Sequence, residues 1–418
     1  MKVIQRQRVG YLLAGILFAL YMLLFSTVVN AQDDRGYIYG KIITVDDKTY
    51  IGQIRWGKEE TFWDDIFNSS KGKNPHLQHL KRGDYEHLRN YRGEDSKWDF
   101  WSIWDDHYSS YAHSFATRFG DIKSITILGR DDVEIEFRDG QKIEFGGGSN
   151  DIGASLRVFD EEIGELKIKW NRIDRVEFMS TPKKLQNKFG DPLYGTVETS
   201  NGSFTGLVQW DHEECLTNDR LDGDSEDGDV SIPFGNIKSI ERQGRGSLVT
   251  FKSGRELFLT GSNDVNSDNR GIIVKNPEFG KVKIEWREFE KVTFDTNNKD
   301  SGEAYTKYSN PLELEGTVTT INDQEFNGRI VFDLDEEWDY ELLNGSDEEI
   351  EYIIPFRNIK SVKPKNFNYS TVELRSGRKL LLGDGQDVSD QNDGILVFRK
   401  NDDPVYIPWP EVREVVFN

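Results

Sequence analysis

The stretch IPFGNIKSI at residues 232–240 is written again, almost letter for letter, as IPFRNIKSV at residues 354–362, 122 positions later. A more divergent version, Phe119-x-x-Ile122-Lys-Ser-Ile125, precedes both. Similarity at a recurring spacing is the mark of a repeat architecture and is sought before secondary structure. Working outward, YGKIITVDDKTYIGQIRW from Tyr39, YGTVETSNGSFTGLVQW from Tyr194 and EGTVTTINDQEFNGRIVF from Glu315 align, with glycine pairs Gly40/Gly52, Gly195/Gly206 and Gly316/Gly328. VEIEFRDGQKIEF, LVTFKSGRELFL and TVELRSGRKLLL follow, and each copy closes on Trp170, Trp286 or Trp409 in W-x-x-[IFV]-x-x-V-x-F. The spacing from Phe119, Phe234 and Phe356 to these tryptophans is 51, 52 and 53 residues. A register kept three times predicts three tandem copies of a unit of roughly 100 residues.

Within a copy, F-x-x-I-x-x-I ends the first half and W-x-x-[IFV]-x-x-V the second. An aromatic followed by apolar residues at +3 and +6 fits a single 3₁₀ turn running into a strand, because residues three apart eclipse in 3₁₀ geometry. Pro233 and Pro355 suit a first helical position, where no donor is lost. The remainder alternates with period two, and FRDGQ, FKSGR and LRSGR place Asp-Gly or Ser-Gly between alternating runs, a short-hairpin signal. These turn-then-last-strand endings resemble small SH3-like or Sm-like barrels, an architectural likeness confined to the short endings. The expected fold is therefore mainly β, each copy built of two small barrel modules of roughly 50 residues that pack together, since modules that small hold marginal cores alone. The expected boundaries are a signal peptide at 1–31, repeat one at 32–179, repeat two at 192–294 and repeat three at 311–417, with 180–192 and 295–311 as polar connectors.

Lys2, Arg6 and Arg8 precede an apolar stretch from Tyr11 to Val29 and the sequence Val29-Asn30-Ala31-Gln32. A basic start, an apolar run and small residues before a cut read as a secretory signal, with cleavage expected after Ala31 and an uncleaved single-pass anchor as the alternative. No cysteine follows the run, so a bacterial lipid anchor there is excluded, and the lone Cys215 can form no intramolecular disulfide. The formal net charge of −21 falls to −24 without the three basic N-terminal residues, which makes nucleic acid and anionic membrane surfaces poor partners. Cations, basic partners, an unidentified protein or a glycan fit better, with membrane contact only through an uncleaved N-terminus.

The copies differ chiefly in the first one. The step from Gly to Phe is 39 residues in copy two and 40 in copy three but 79 in copy one, which places an insertion of about 40 residues between Glu60 and Thr117. It carries His76, His79, His87, His107 and His113, with Trp63, Trp98, Trp101 and Trp104. Leu77, Leu80, Tyr85 and Leu88 lie near helical spacing over residues 75–92, so a helical hairpin packed on the barrel is expected. The competing reading makes Trp98, Trp101 and Trp104 an exposed aromatic platform for a glycan or protein. A zinc site at His76, His79 and His87 lacks the i,i+4 pair with an intervening glutamate that would carry it.

Two further groups of residues are candidates. Asp264-x-Asn266-x-Asp268 puts oxygen ligands at alternate positions, as a calcium loop does, and Asp387 and Asp390 belong to the matching segment GDGQDVSDQNDG of copy three. Asn269 and Lys275 depart from the EF-hand pattern, and Asx side chains make such turns unaided. Residues 211–229 hold nine carboxylates and 333–351 hold ten, blocks that read as solvated loops or as docking sites for a basic partner. The pairs Glu59-Glu60, Glu213-Glu214 and Glu336-Glu337 offer the carboxylates a glycosidase needs, but three copies of a catalytic pair in unspecialised repeats is a poor design for one active site. No P-loop, G-x-S-x-G or C-x-x-C is present, and no cofactor besides calcium is indicated. These observations lean away from an enzyme and toward an exported binding or scaffolding protein of the cell envelope. The alternative is a secreted hydrolase or carbohydrate-acting protein with its site in the 60–117 insertion.

Overall fold

In the computed structural model the described residues are 33–418, apart from 72–74, 82, 85–112, 147–150, 296, 299, 309–310 and 401–402. Period-two alternation dictates most of what is seen. The first set of strands is β1 (Tyr39–Thr44), β2 (Thr49–Trp56), β3 (Ile66–Lys71), β4 (His113–Arg118), β5 (Ile122–Ile127), β6 (Asp132–Phe137), β7 (Lys142–Gly146), β8 (Leu156–Asp160), β9 (Gly164–Ile168) and β10 (Ile173–Phe178). The second is β11 (Tyr194–Thr199), β12 (Gly202–Trp210), β13 (Arg220–Ser225), β14 (Gly228–Pro233), β15 (Ile237–Gln243), β16 (Gly246–Phe251), β17 (Glu256–Leu259), β18 (Ile272–Asn276), β19 (Gly280–Ile284) and β20 (Phe289–Phe294). The third is β21 (Glu315–Thr320), β22 (Glu325–Val331), β23 (Leu342–Asp347), β24 (Ile350–Pro355), β25 (Ile359–Pro364), β26 (Tyr369–Leu374), β27 (Lys379–Gly383), β28 (Ile395–Phe398), β29 (Val405–Ile407) and β30 (Val412–Phe417). All the pairings between these strands are antiparallel.

Strand order corrects one expectation. The first set runs β4-β3-β7-β6-β5-β10-β1-β2-β8-β9. The two halves of the sequence therefore do not close as consecutive modules. β1 and β2 are flanked by β10 and β8, so the five-stranded group β10-β1-β2-β8-β9 is discontinuous in sequence. A second five-stranded group, β3 to β7, is inserted between β2 and β8 and joins the first through β5 and β10. The pairings of β20-β11-β12-β18-β19 and β30-β21-β22-β28-β29 follow the same order. Local period reports which face of a strand is buried; it carries no information about the partner strand, and for this reason the nesting was not legible.

The aromatic turns do follow from local chemistry. Phe119–Asp121, Trp170–Arg172, Phe234–Asn236, Phe356–Asn358 and Trp409–Glu411 are 3₁₀ turns, each leading into a strand. Pro233, Pro355 and Pro408 stand at the N-caps of the last three of these, one position ahead of the first helical residue. At Trp286 the corresponding turn is closed by Glu288 N–H donating to Glu285 O. Trp170, Trp286 and Trp409 are buried, as are Phe119, Phe234 and Phe356. The Asp-Gly and Ser-Gly hairpins place Gly140, Gly254 and Gly377 at φ of 90°, 86° and 90°. The aligned glycines face one another across the first hairpin of each set: Gly40↔Gly52, Gly195↔Gly206 and Gly316↔Gly328. A Cβ on Gly52 would lie 1.9 Å from Phe159 O and one on Gly206 2.0 Å from Lys275 O, so the neighbouring strand approaches too closely for any side chain.

Much of the expected helical insertion, residues 82 and 85–112, lies outside the described residues. β3 and β4 pair from Ile66↔Arg118 to Lys71↔His113, so the extra segment begins beyond Lys71 and ends before His113, inside the expected interval between Glu60 and Thr117. The described start of it, Pro75–His79, is one 3₁₀ turn, and no helix of seven or more residues occurs among the described residues. Leu77 in that turn and Leu80 just after it pack with Val331, Leu334 and Leu396 of the third set. Trp98, Trp101, Trp104 and His87 lie outside the described residues, as does the 1–31 segment.

Residues 33–418 form one compact unit. One apolar core runs through the second and third sets, and a second fills the first set. β19 and β24 form a ladder from Lys281↔Ile353 to Ile284↔Ile350, joining sets two and three. Sets one and two meet through Arg55 Nη1 to Asp219 Oδ1 at 2.5 Å and through Lys275 to Asp65. The segments expected to be polar connectors are straps. Leu185 and Phe189 enter the first core, and so do Tyr305 and Tyr308 from the segment ahead of β21. Tyr305 lies 4.4 Å from Trp63, ring to ring, and its hydroxyl donates to Ile122 O at 2.8 Å. Among the described residues no helix is long and apolar enough to cross a membrane.

Candidate metal centre

Two chain crossings connect the nested groups in each set: one after β2, β12 and β22, the other before β8, β18 and β28. Where the crossings meet, carboxylates converge. Asp211, Glu214 and Asp264 each offer an oxygen within 4.8 Å of the others, and Asp333, Glu336 and Asp387 do the same in the third set. The corresponding residues of the first set are Gly57, Glu60 and Asp151, so one carboxylate is missing there.

Each member is held by local structure. The chain leaves the strand by a tight turn: Asp211 and His212 take φ of 45° and 61°, Asp333 and Leu334 52° and 55°, and Gly57 61°. Aspartate tolerates this left-handed region better than most residues. Glu214 is fixed by Trp210 N–H donating to its carbonyl at 2.7 Å and its own N–H donating to Trp210 O at 2.9 Å. The 3₁₀ turns Asn263–Val265 and Gln386–Val388 bring in Asp264 and Asp387. One oxygen of each accepts a backbone N–H from the neighbouring strand, Asp222 to Asp264 Oδ2 at 2.7 Å and Asn344 to Asp387 Oδ2 at 2.6 Å. In the first set Asn68 donates to Asp151 Oδ2 at 2.6 Å in the same way. Trp56 and Trp210 Nε1 donate to the carbonyls of Asp151 and Asp264, both at 2.9 Å.

The electrostatics differ between the triads. In the second set Arg270 Nη2 lies 3.2 Å from Asp211 Oδ2 and 3.0 Å from Glu213 Oε1, and Asn263 Nδ2 donates to Asp211 Oδ2 at 2.6 Å. Burial, with Asp264 beside it, still pushes Glu214 up to about 9, and burial raises Asp264 to about 6. Buried His212 is depressed to about 3 and stays neutral. In the third set the place of Arg270 is taken by Asp393, whose N–H donates to Asp333 Oδ1 as the N–H of Arg270 does to Asp211. Burial and the mutual repulsion of the carboxylates raise Asp333 and Glu336 well above the usual range, and burial takes Asp387 to about 6. Glu214 Oε2 and Glu336 Oε2 are both buried without a hydrogen-bond partner. Three carboxylates this close in a poorly solvated site can all ionise only beside a cation; otherwise they retain protons. An all-oxygen donor set of this kind suits a hard divalent ion.

The sequence candidates are distributed as follows. Asp264 and Asp387 belong to the triads. Asn266 and Asp268 are not brought to them by the loop: Asn266 Oδ1 accepts the N–H of Asp268 at 2.8 Å in a local turn. Asp390 donates its N–H to Phe367 O at 2.6 Å. His76 Nε2 lies 3.8 Å from Glu337 Oε2, while His79 stands edge-on to Phe398. The adjacent glutamates of the second set part company, Glu213 turning to Lys58 and Arg270 and Glu214 to the triad. Asp211, Glu214, Asp333 and Glu336 were missed as ligands. Their signal was present: an aspartate directly after Trp210 at the end of β12 or Phe332 just beyond β22, and a glutamate three residues further on, twice. No protein-family model matches the chain, and neither a curated protein nor a solved structure does.

Proposed function

We propose that this chain is an exported, non-catalytic β-repeat protein with a binding or scaffolding role in the cell envelope. The three strand sets are read as copies of one unit, each made of two SH3-like modules, one nested in the other. The order β10-β1-β2-β8-β9, with the 3₁₀ turn at Trp170 between its last two strands in sequence, supports the SH3-like reading. The order β5-β6-β7-β3-β4, with a 3₁₀ turn between β4 and β5, is the same ring of five entered at a different strand.

The observation that carries the scaffold reading is the locking of the sets to one another by the β19–β24 ladder, by Lys275 on Asp65 and by the Tyr305 strap. Units fixed in this way present surfaces at set distances, whereas units on free linkers would not. The calcium-type chemistry of the triads fits an extracellular module, where ion concentrations support weak sites. The test is threefold: fractionation of cells with N-terminal sequencing of the mature chain, calorimetry of residues 32–418, and incubation with cell-wall glycan. Export with cleavage after Ala31, one cooperative transition and unaltered glycan agree with the reading. Release of sugar fragments by the purified chain would replace it with the hydrolase alternative.

A further inference from the structure

We propose that Asp333, Glu336 and Asp387 form a binding site for a calcium-type divalent cation in the third strand set, and that the second set carries the same framework with a built-in arginine in place of the ion.

The three ligand oxygens lie within 4.8 Å of one another, a span that two Ca–O bonds of about 2.3–2.6 Å cover. Asp333 and Asp387 are 3% and 5% exposed. Glu336 Oε2 is a buried carboxylate oxygen with no hydrogen-bond partner, in a glutamate that belongs to this triad. An unpartnered buried carboxylate oxygen is costly, and in a triad that makes no ion pair among the described residues it calls for a cation.

In the second set Glu214 Oε2 is likewise without a partner, but a built-in cation stands beside that triad. There the guanidinium of Arg270 reaches Asp211 Oδ2 at 3.2 Å. Asn269 and Asn392 hold the two loops alike, their Nδ2 groups donating to Asp264 O at 3.5 Å and Asp387 O at 3.1 Å. The next residue is Arg270 in one loop and Asp393 in the other, so a positive charge has been exchanged for a negative one on an otherwise matched backbone. The exchange removes from beside the third triad the guanidinium that the second one has, and among the described residues no other cation is paired with Asp333, Glu336 or Asp387. The first set, with Gly57, has no such triad. Among the described residues the geometry therefore assigns one cation, in the third set. Calcium is favoured over magnesium because several carboxylates are already in place, whereas magnesium keeps much of its water and binds through one or two.

The experiment uses the mature chain, stripped with chelator at pH 7.5, with calcium titrated calorimetrically and melting followed with calcium or magnesium. One calcium per chain, a melting temperature raised by calcium and a smaller rise with magnesium are expected. Glu336→Gln should weaken calcium binding by at least about tenfold and abolish the melting shift. Glu214→Gln should leave both as in the parent. Glu336→Gln relieves the repulsion among the buried carboxyl groups, so its chelated form should melt no lower than the chelated parent. Asp333→Asn provides a second ligand variant with the same expected loss. Absence of a calcium response in the parent would overturn the proposal and assign the triad to shared protons. So would an undiminished response in both ligand variants, a response removed by Glu214→Gln, or a larger shift with magnesium.

Discussion

The ammonium of Lys275, on β18, bonds directly to the carboxylate of Asp65, which lies just ahead of β3 in another strand set. Both side chains are almost wholly buried, at 6% and 3% exposure. Asp65 also accepts the N–H groups of Thr61 and Phe62 through Oδ2, each at 2.8 Å. Burial works against the ionised carboxylate, but Lys275 prevails and holds it below the usual range. The pair thus ties a loop anchor of the first set to the second.

Removing one partner of this pair leaves an uncompensated buried charge. Lys275→Met is expected to cost about 3–5 kcal/mol in denaturant unfolding. Lys275→Met combined with Asp65→Asn should recover part of that loss. A loss below about 1 kcal/mol for the single variant would mean that the boundary is solvated.

Trp286 is 8% exposed and stands edge-on to Trp210 at 6.0 Å. Its truncation empties a large volume in the core shared by the second and third sets. Trp286→Ala should destabilise the chain by about 3–5 kcal/mol, read from urea or guanidinium unfolding. A near-neutral result would place this indole outside the core.

Gly206 faces Gly195 across the hairpin, and a Cβ there would meet Lys275 O at 2.0 Å. Gly206→Ala must push β18 away or bend β12, at a cost of about 1–3 kcal/mol or more. The same change at Gly202, where nothing lies within 4 Å of the added carbon but φ is +141°, carries a backbone cost without a clash. Circular dichroism melts of the two variants separate these causes, with the Gly206 change expected to be the larger.

The triads make stability depend on pH. Glu214 keeps its proton in the folded chain up to about 9 but loses it near its ordinary value when unfolded. Over that interval the unfolded state binds fewer protons, so stability falls as pH rises. His212 acts in the opposite sense below its ordinary value, since the folded chain holds it neutral down to about 3 while the unfolded chain protonates. The window free of that opposition lies between about pH 6.5 and 9. Chelated protein should melt progressively lower across it, and Glu214→Gln should flatten the slope. A melting temperature that rises with pH over this window would contradict the assignment.

The local plan of this protein was readable from its residues alone. Period-two alternation marks strand faces, Asp-Gly and Ser-Gly mark hairpins, and an aromatic with apolar residues at +3 and +6 marks a 3₁₀ turn, because each signal acts over a few residues of chain. Buried Trp170, Trp286 and Trp409 and the paired glycines follow from such signals. What tertiary structure decided is which distant segments meet. β1 lies beside β10 and β2 beside β8, so the halves of each set nest instead of standing in line, and no local period encodes that choice. Tyr305 and Tyr308 sit in a polar stretch and still enter the first core, because a strap passes over it. Asp333 and Asp387 are 54 residues apart, and Asp264 read as part of a calcium loop with Asn266 and Asp268. Only the pairing of β22 with β28 brings the two crossings together, and carboxylates that would be solvated on separate loops become one buried, mutually repelling cluster.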